Sequence, residues 1–235
     1  MRTPTSTDLE NARRLLADCA LFRKLARHER NALVARAHMR RFDAGDVIFL
    51  MGAPHDSMIA VLAGEVRISL SSADGKEVVL TTVHPGEVFG EIAMLDGKPR
   101  SADATALTAC KLAVLERRDV LAVLDRNPAA WRGLVEILCS RLRRTDHQLV
   151  ELALLKLPER LARTLLRAVD AGRAQKANCT DLRLSQFELA NRVGAARENV
   201  NKCLRDWKLG GIIRVEKRVI KIANRVALEA LAGAD

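Results

Sequence analysis

Short β-rich runs separated by turn residues occupy most of the stretch from position 40 to position 115. Glycine, proline, aspartate and serine stand between the runs, where they permit tight turns and interrupt helices. Several short strands joined in this way are typical of a β-barrel or jelly roll and argue against a helical bundle. We predict strands at residues 47–50, 58–62, 66–70, 78–83, 104–107 and 111–114.

The segment FGEIAMLDGKPRSA at residues 89–102 carries groups that suit a sugar phosphate. Gly90 lets main-chain N–H groups approach an anion at the start of a short helical turn. Arg100 can hold a phosphate oxygen by a charge-assisted bond while Ser101 donates a second bond. Glu91 only accepts hydrogen bonds when ionised, which suits a ribose hydroxyl and not a phosphate. The segment therefore predicts a nucleotide site.

These residues resemble the phosphate-binding cassette of the cyclic AMP receptor protein and fumarate-nitrate-reduction regulator (CRP/FNR) family of bacterial transcription factors. The family pattern, F-G-E-[LI]-[AG]-[LM], then a loop, then R-[ST]-A, is complete here. By this resemblance Glu91 would bind the ribose 2′-hydroxyl, and Arg100 and Ser101 the cyclic phosphate. The main-chain amides from Gly90 to Ile92 would bind the remaining phosphate oxygens. The resemblance implies cyclic AMP or cyclic GMP as an allosteric ligand, with no metal and no covalent cofactor.

A long amphipathic helix is predicted from Pro128 to Ala153. Its apolar residues recur at spacings of three and four, so they form one stripe, and a stripe on a helix leaving a β domain needs a partner. The resemblance implies that the partner is the same helix of a second subunit; packing within the monomer is the alternative. The stripe consists of Trp131, Leu134, Leu138, Leu142, Thr145, Leu149 and Leu152.

Two polar residues on this helix align with the family positions that contact the nucleotide base. By resemblance Thr145 would contact the base in its own subunit, and Asp146 would reach the site of the partner. Asp146 replaces a serine of the family. A carboxylate can accept hydrogen bonds from guanine N1 and N2 or from adenine N6, so both purines remain open at this stage.

The pattern of the carboxy-terminal part, residues 156–235, predicts a helix-turn-helix followed by a wing. Ser185 and Glu188 form a capping box at the start of the first helix, which ends at Gly194. The second helix, residues 196–207, has an apolar face and a face of basic and amide groups. Residues 212–222 alternate enough to form a two-stranded wing, which would lie along the DNA backbone.

The motif L-x-x-A/G-x-x-x-G-x-x-R-E-x-V in this region also resembles the CRP/FNR family. By resemblance Arg197 would contact guanine N7 and O6, Glu198 would accept from cytosine N4, and Lys202 would be a single-point donor to a second guanine. The predicted DNA-binding residues are Arg197, Glu198, Asn201, Lys202, Arg205, Lys217 and Arg218. Residues 156–235 carry +8 of the formal net charge of +10, which also indicates a polyanion partner.

Other classes of protein fit the sequence less well. The five cysteines are scattered without a CxxC pair, which argues against a disulfide framework and against a zinc or iron–sulfur site. No nucleophile–base pair appears, which argues against an enzyme. A regulator of the same fold that senses redox state, haem, nitric oxide or another small molecule is the alternative function. No run of about 18 apolar residues and no secretory signal appears, so we expect a cytoplasmic protein without membrane contact.

The sequence as a whole predicts an α+β protein in three parts. These are a cyclic-nucleotide-binding β-roll, or jelly roll, at residues 9–127, a dimerisation helix at 128–155 and a winged helix-turn-helix DNA-binding domain at 156–235. Lys156 to Arg160 mark the predicted hinge, because Pro158 suits the first turn of a new helix. The expected function is a homodimeric transcription regulator that binds a two-fold symmetric double-stranded DNA site when a cyclic nucleotide is bound. RNA polymerase is a further partner implied by the resemblance.

Overall fold

The computed structural model describes residues 10, 14–15, 17, 19, 21–54, 56–72, 77–175, 181–182, 184–216 and 219–233 of the 235-residue chain. It divides into two compact units. The first contains residues 1–71 and 79–144, and the second contains residues 72–78 and 145–235. The predicted domain boundaries at 127/128 and 155/156 stay predictions.

The first unit is built on two four-stranded sheets. One sheet has the strand order β1-β8-β3-β6 and the other has the order β2-β7-β4-β5. The strands are β1 (His38–Phe42), β2 (Val47–Phe49), β3 (Met58–Ala63), β4 (Val66–Ser71), β5 (Glu77–Val83), β6 (Val88–Phe89), β7 (Asp103–Ala106) and β8 (Cys110–Leu115). The neighbours in the first sheet pair antiparallel, as do β2 with β7 and β4 with β7.

Strand β3 is buried on both faces, which explains why its sequence is a continuous apolar run. Ile59 and Val61 point into a core that also includes residues of the second sheet, such as Val66 and Ala104. The alternate residues Met58, Ala60 and Leu62 point into a second core made with helices. Side chains alternate across a strand, so a strand between two cores needs apolar residues at every position.

Around these sheets lie α1 (Arg27–Arg36), α2 (Glu91–Asp96), α3 (Arg117–Leu124) and the start of α4 (Pro128–Leu154). A 3-10 turn at Phe22–Lys24 precedes α1. Phe22, Leu124 and Leu134 are almost fully buried beside β3. The helices therefore cover one face of the first sheet and leave the cassette segment at its edge.

The six predicted strands are all present, within one residue at each end. Sequence reasoning missed β1 and β6. β1 contains Arg40 and Arg41, and only two of its five residues are partly buried, so its alternation is weak. β6 has two residues, which is too short to produce a pattern. Both strands are recognised only through their antiparallel partners β8 and β3.

The structure divides the predicted apolar stripe of α4 into two parts. Trp131 and Leu134 pack into the core of the first unit, so they need no second subunit. Among the exposed residues of α4, five recur at spacings of four and three: Val135, Cys139, Leu142, Asp146 and Leu149. This set is the exposed seam of α4, and its regular 3.5-residue period is that of a two-stranded coiled coil.

The second unit contains the rest of the chain from Thr145, with α5 (Leu157–Gln175), α6 (Gln186–Val193), α7 (Arg197–Leu209) and α8 (Arg225–Ala232). A three-stranded sheet has the order β10-β11-β9, formed by β10 (Ile213–Glu216), β11 (Val219–Ile222) and β9 (Asp181–Leu182). Leu161, Leu189 and Leu204 belong to one core shared by α5, α6 and α7. None of the described helices is long and apolar enough to cross a membrane.

Candidate functional site

The cassette segment begins with a sharp reversal at Gly90, which follows β6 directly. Gly90 has φ +76°, a left-handed conformation that residues with a Cβ adopt at a cost. A Cβ at this position would also collide with the guanidinium of Arg100 and would lie 3.2 Å from the carbonyl oxygen of Ser57. Glycine is therefore required both for the turn and for the close approach of Arg100.

Arg100 is 3% exposed, and its guanidinium holds the cassette together. Nη1 donates to the carbonyl oxygens of Ser57 at 2.7 Å and Gly90 at 3.0 Å. Nη2 donates to the hydroxyl of Ser57 at 3.0 Å. The guanidinium carbon lies 4.3 Å from the centroid of the Phe49 ring, a cation–π arrangement. Nε has no hydrogen-bond partner among the described residues.

The hydrogen-bond partners of the Arg100 guanidinium among the described residues are thus all uncharged. Burial lowers the pKa of Arg100 from its ordinary value, while the carboxylates of Asp56 and Glu91 act in the opposite direction. Arginine nevertheless stays protonated in proteins. The site therefore contains a buried positive charge without a directly bonded anion, which is the electrostatic condition that a phosphate relieves.

Glu91 is the first residue of α2 and is 1% exposed. Its Oε1 forms an ion pair with Nη1 of Arg141, which lies on α4. Nη2 of Arg141 donates to the carbonyl oxygen of Val88, immediately before the cassette. Oε2 of Glu91 has no hydrogen-bond partner among the described residues. The carboxylate thus retains an acceptor for a ligand hydroxyl.

The structure brings Gly90, Glu91 and Arg100 together, as the cassette pattern predicts. Ile92 follows Glu91 with its side chain 44% exposed. Ser101 is exposed beside the buried Arg100. Thr145 and Asp146 are exposed residues of α4 that belong to the second unit, and their contact with a nucleotide base stays a prediction.

Sequence reasoning missed two residues of this site, Ser57 and Arg141. No pattern marks Ser57, which lies 43 positions from Arg100 and holds it through a carbonyl and a hydroxyl. Arg141 carries a signal that could have been used. It stands four positions before Thr145 on a predicted helix, so the two residues lie on neighbouring turns.

A cavity of about 310 Å³ lies next to the cassette within the first unit. Strand β5 provides Thr81, Thr82 and Val83, and helix α4 provides Ser140, Arg141 and Arg144. Arg144 Nη1 donates to Thr81 Oγ1 at 2.6 Å across this cavity. Arg141 therefore lines the cavity and also pairs with Glu91 of the cassette.

The helix-turn-helix of the second unit has the predicted caps. Ser185 Oγ accepts the N–H of Glu188 at 3.1 Å, and Glu188 Oε2 accepts the N–H of Ser185 at 2.7 Å. Helix α6 ends at Gly194, which has φ +60°. Ala196 precedes α7 and provides no side-chain cap. The capping box and the glycine thus define the turn that presents α7.

Helix α7 buries one face and exposes the other, as its sequence predicts. Val200, Leu204 and Trp207 are buried. Four of the five predicted DNA-binding residues of α7 are exposed: Arg197, Glu198, Lys202 and Arg205. Asn201 differs, because it is half-buried and its Oδ1 is shielded from solvent without a partner among the described residues. Its DNA contact stays a prediction, as do those of the other four.

The predicted wing is the hairpin of β10 and β11, which pair antiparallel from Ile213 with Ile222 to Glu216 with Val219. Arg214 is exposed on it, and Lys221 Nζ lies 3.2 Å from Glu216 Oε2. The predicted DNA contacts Lys217 and Arg218 fall outside the described residues. Over the part of the chain that is described, no group of three or more His, Cys, Asp or Glu residues could hold a metal ion.

Comparison with known proteins agrees with both halves of this architecture. Residues 39–127 match the cyclic nucleotide-binding domain, and residues 159–231 match the Crp-like helix-turn-helix domain. Together they define a DNA-binding transcription regulator with a cyclic-nucleotide-binding domain, which is not an enzyme. The chain belongs to the CRP/FNR family of transcription regulators.

Relatives of known function cover almost the whole chain. The CRP-like cAMP-activated global transcriptional regulator of Mycobacterium tuberculosis is 31% identical over 212 residues, which are 89% of this chain and 95% of the relative. The cyclic AMP receptor protein of Thermus thermophilus is 30% identical over 90% of this chain and 96% of its own. The solved structure of the c-di-GMP responsive global regulator CLP of Xanthomonas campestris has a TM-score of 0.73 at 26% identity, and covers 80% of this chain and 94% of its own.

Proposed function

We propose that this protein is a homodimeric transcription regulator whose DNA affinity is switched by a cyclic mononucleotide bound at Glu91, Arg100 and Ser101. The observation that carries the proposal is the buried Arg100 guanidinium with only uncharged hydrogen-bond partners among the described residues. A cyclic phosphate would supply the missing negative charge through bonds to Arg100 and the exposed Ser101 hydroxyl. The free Oε2 of Glu91 would accept the ribose 2′-hydroxyl.

Helix α4 connects this site to the dimer interface. Arg141 pairs with Glu91 on one side of α4, and the exposed seam with Leu142 and Leu149 lies on another side. A ribose hydroxyl at Oε2 would share the Glu91 carboxylate with Arg141 at Oε1, so ligand binding would change the forces that hold α4 against the cassette. The ligand shifts the equilibrium only by its differential affinity for the DNA-competent state.

In the dimer each α7 would enter a major groove, and the two grooves would lie one helical turn, about 34 Å, apart on a two-fold symmetric site. Arg197 and Glu198 are both exposed and would read a G·C pair. We expect such a regulator to act in the cytoplasm and to have RNA polymerase as a partner. A related regulator that responds to c-di-GMP makes cyclic dinucleotides the competing ligand class.

The test is calorimetric titration of the full-length protein with cyclic AMP, cyclic GMP and cyclic di-GMP. We expect a cyclic mononucleotide to bind, the Arg100→Ala variant to lose that binding, and a matched Lys98→Ala variant to retain it. Lys98 is exposed in the same loop, so it controls for the loss of one positive charge. Circular dichroism would confirm that Arg100→Ala is folded, and Arg100→Lys provides a second variant that keeps the charge.

The DNA arm of the test uses a duplex selected by the protein from a random pool. Ligand should raise the affinity for this duplex in the wild type and not in Arg100→Ala. Binding of cyclic di-GMP without cyclic mononucleotides would replace the proposed ligand class. Equal DNA affinity with and without each nucleotide would overturn the switch and favour a regulator that senses another signal.

A further inference from the structure

The cavity next to the cassette is bounded by β5 and β6 on one side and by α4 on the other. Its volume of about 310 Å³ lies at the lower end of the range for small-molecule sites, about 300–1,000 Å³. Hydroxyls of Thr81, Thr82 and Ser140 line it together with the guanidinium groups of Arg141 and Arg144. The lining therefore suits a small, flat ligand with several hydrogen-bonding atoms.

Arg141 links the cavity to the cassette. Arg141 lines the cavity and forms the ion pair with Glu91, the proposed acceptor of the ribose hydroxyl. With the phosphate assigned to Arg100 and the ribose to Glu91, the base is the only part of a cyclic nucleotide without an assigned binding site. The assignment of the base therefore rests on the proposed function. This cavity, which shares Arg141 with the ribose acceptor Glu91, is then a place available to a purine.

The charged groups that line the cavity differ in their partners. Arg141 is paired with Glu91, and Glu136 lies 3.7 Å from Arg23. Glu87 accepts the main-chain N–H of His84 at 2.7 Å. Arg144, by contrast, is a cation whose partner among the described residues is an uncharged hydroxyl, that of Thr81.

The contact between Arg144 and Thr81 is one that a ligand can replace. The Thr81 hydroxyl donates its proton to the carbonyl oxygen of Thr82 at 3.2 Å and accepts from Arg144 Nη1 at 2.6 Å. Loss of the Arg144 contact leaves the hydroxyl bonded to Thr82 and leaves no anion unpaired. The guanidinium of Arg144 would then exchange one acceptor, the Thr81 hydroxyl, for two acceptors if the ligand presents two of them side by side.

We propose that Arg144 is a specificity-determining residue that donates to O6 and N7 of a guanine base, so that the site prefers cyclic GMP to cyclic AMP. Guanine presents two acceptors, O6 and N7, side by side, and arginine matches them in a bidentate manner. Adenine presents the N7 acceptor beside the N6 amino donor, which faces one arm of the guanidinium with a second donor. The bidentate guanidinium contact by which arginine recognises guanine in DNA would thus select guanine in this site.

The experiment compares three ligands that differ only at the base edge: cyclic GMP, cyclic AMP and inosine 3′,5′-cyclic monophosphate. The inosine compound keeps O6 and N7 but lacks the 2-amino group of guanine. Calorimetric titration of the wild type should give cyclic GMP and the inosine compound similar affinities. Both should bind about 5- to 150-fold more tightly than cyclic AMP, the range expected for one bidentate pair.

Substitution of Arg144 tests base selectivity separately from the overall affinity for cyclic nucleotides. In Arg144→Ala the preference over cyclic AMP should disappear because the guanine ligands weaken, while cyclic AMP affinity stays within about a factor of three. Arg144→Lys should give an intermediate preference, because lysine is a single-point donor. Arg143→Ala, the adjacent exposed residue of the same charge, should leave the preference unchanged.

Each failure has a distinct meaning. Absence of binding by all three ligands to the wild type would overturn the proposed function and this inference together. Tight binding of cyclic AMP with no preference for the other two would leave the proposed function intact and overturn the role of Arg144. A preference for cyclic GMP over cyclic AMP that survives Arg144→Ala would also overturn it, because a group other than Arg144 would then select the base.

Discussion

Arg141 of α4 forms an ion pair with Glu91 of α2, through Nη1 of the guanidinium and Oε1 of the carboxylate. Glu91 is 1% exposed, whereas Arg141 remains partly exposed. The pair joins the helix that carries the exposed seam to the helix that begins the cassette. In the proposed switch, this carboxylate would couple the occupancy of the site to the position of α4.

Arg141→Ala should destabilise the ligand-free protein strongly. Removal of the guanidinium leaves a buried carboxylate without its charge partner, and such losses cost about 3–5 kcal/mol. Urea denaturation of the ligand-free protein would measure the free energy of unfolding. The double variant Arg141→Ala with Glu91→Gln should recover much of the loss, because no unpaired charge remains. Equal losses in the single and double variants would show that the ion pair does not control stability.

Gly90→Ala should be more harmful than the same change at Gly52. Both glycines have positive φ, +76° and +80°, so each substitution carries a backbone cost of about 1–2 kcal/mol. A Cβ at Gly52 meets no atom within 4 Å, whereas one at Gly90 collides with Arg100. Thermal unfolding should therefore give a larger loss for Gly90→Ala, and titration should show loss of nucleotide binding in that variant alone.

Leu142→Lys and Leu149→Lys should weaken the dimer. Both leucines lie on the exposed seam, with exposed fractions of 62% and 64% in the single chain, and a coiled coil would bury them against the partner. Analytical ultracentrifugation should show a shift from dimer towards monomer at micromolar concentration. His147→Lys adds a charge to an exposed position of α4 outside the seam and should leave the mass unchanged. Dimers that persist in both leucine variants would place the interface elsewhere.

Arg197→Ala should relax the recognition of one base pair. Arg197 is exposed at the start of α7, and a bidentate contact with guanine contributes about 1–3 kcal/mol of discrimination. Fluorescence anisotropy with the selected duplex and its single-base variants would measure this loss. Only the position that Arg197 reads should lose its preference. Lys208→Ala, in the last turn of α7, should leave the base preferences unchanged.

Arg214→Ala should instead weaken DNA binding for all sequences alike. Arg214 is exposed on β10, where the proposed contact is to the DNA backbone. One lost phosphate contact should reduce the slope of log affinity against log salt concentration by about 1. Titrations at several salt concentrations would measure that slope. An unchanged slope would mean that Arg214 does not contact phosphate.

The order of elements and the chemistry of the cassette could be predicted from the sequence. Short β-rich runs between turn residues marked six strands, and Gly90, Glu91 and Arg100 marked the cassette. The capping box of Ser185 with Glu188 marked the helix-turn-helix. These signals are local, because periodicity, capping and turn propensity act over a few residues.

Contacts between distant parts of the chain were outside the reach of such signals. The bonds of Ser57 to Arg100 and of Arg141 to Glu91 depend on which strands and helices become neighbours. Periodicity on α4 likewise could not separate Leu134, which packs into the core of the first unit, from Leu142, which stays exposed. Burial of a helix face depends on the surface that covers it, and that surface comes from strands far away in the sequence.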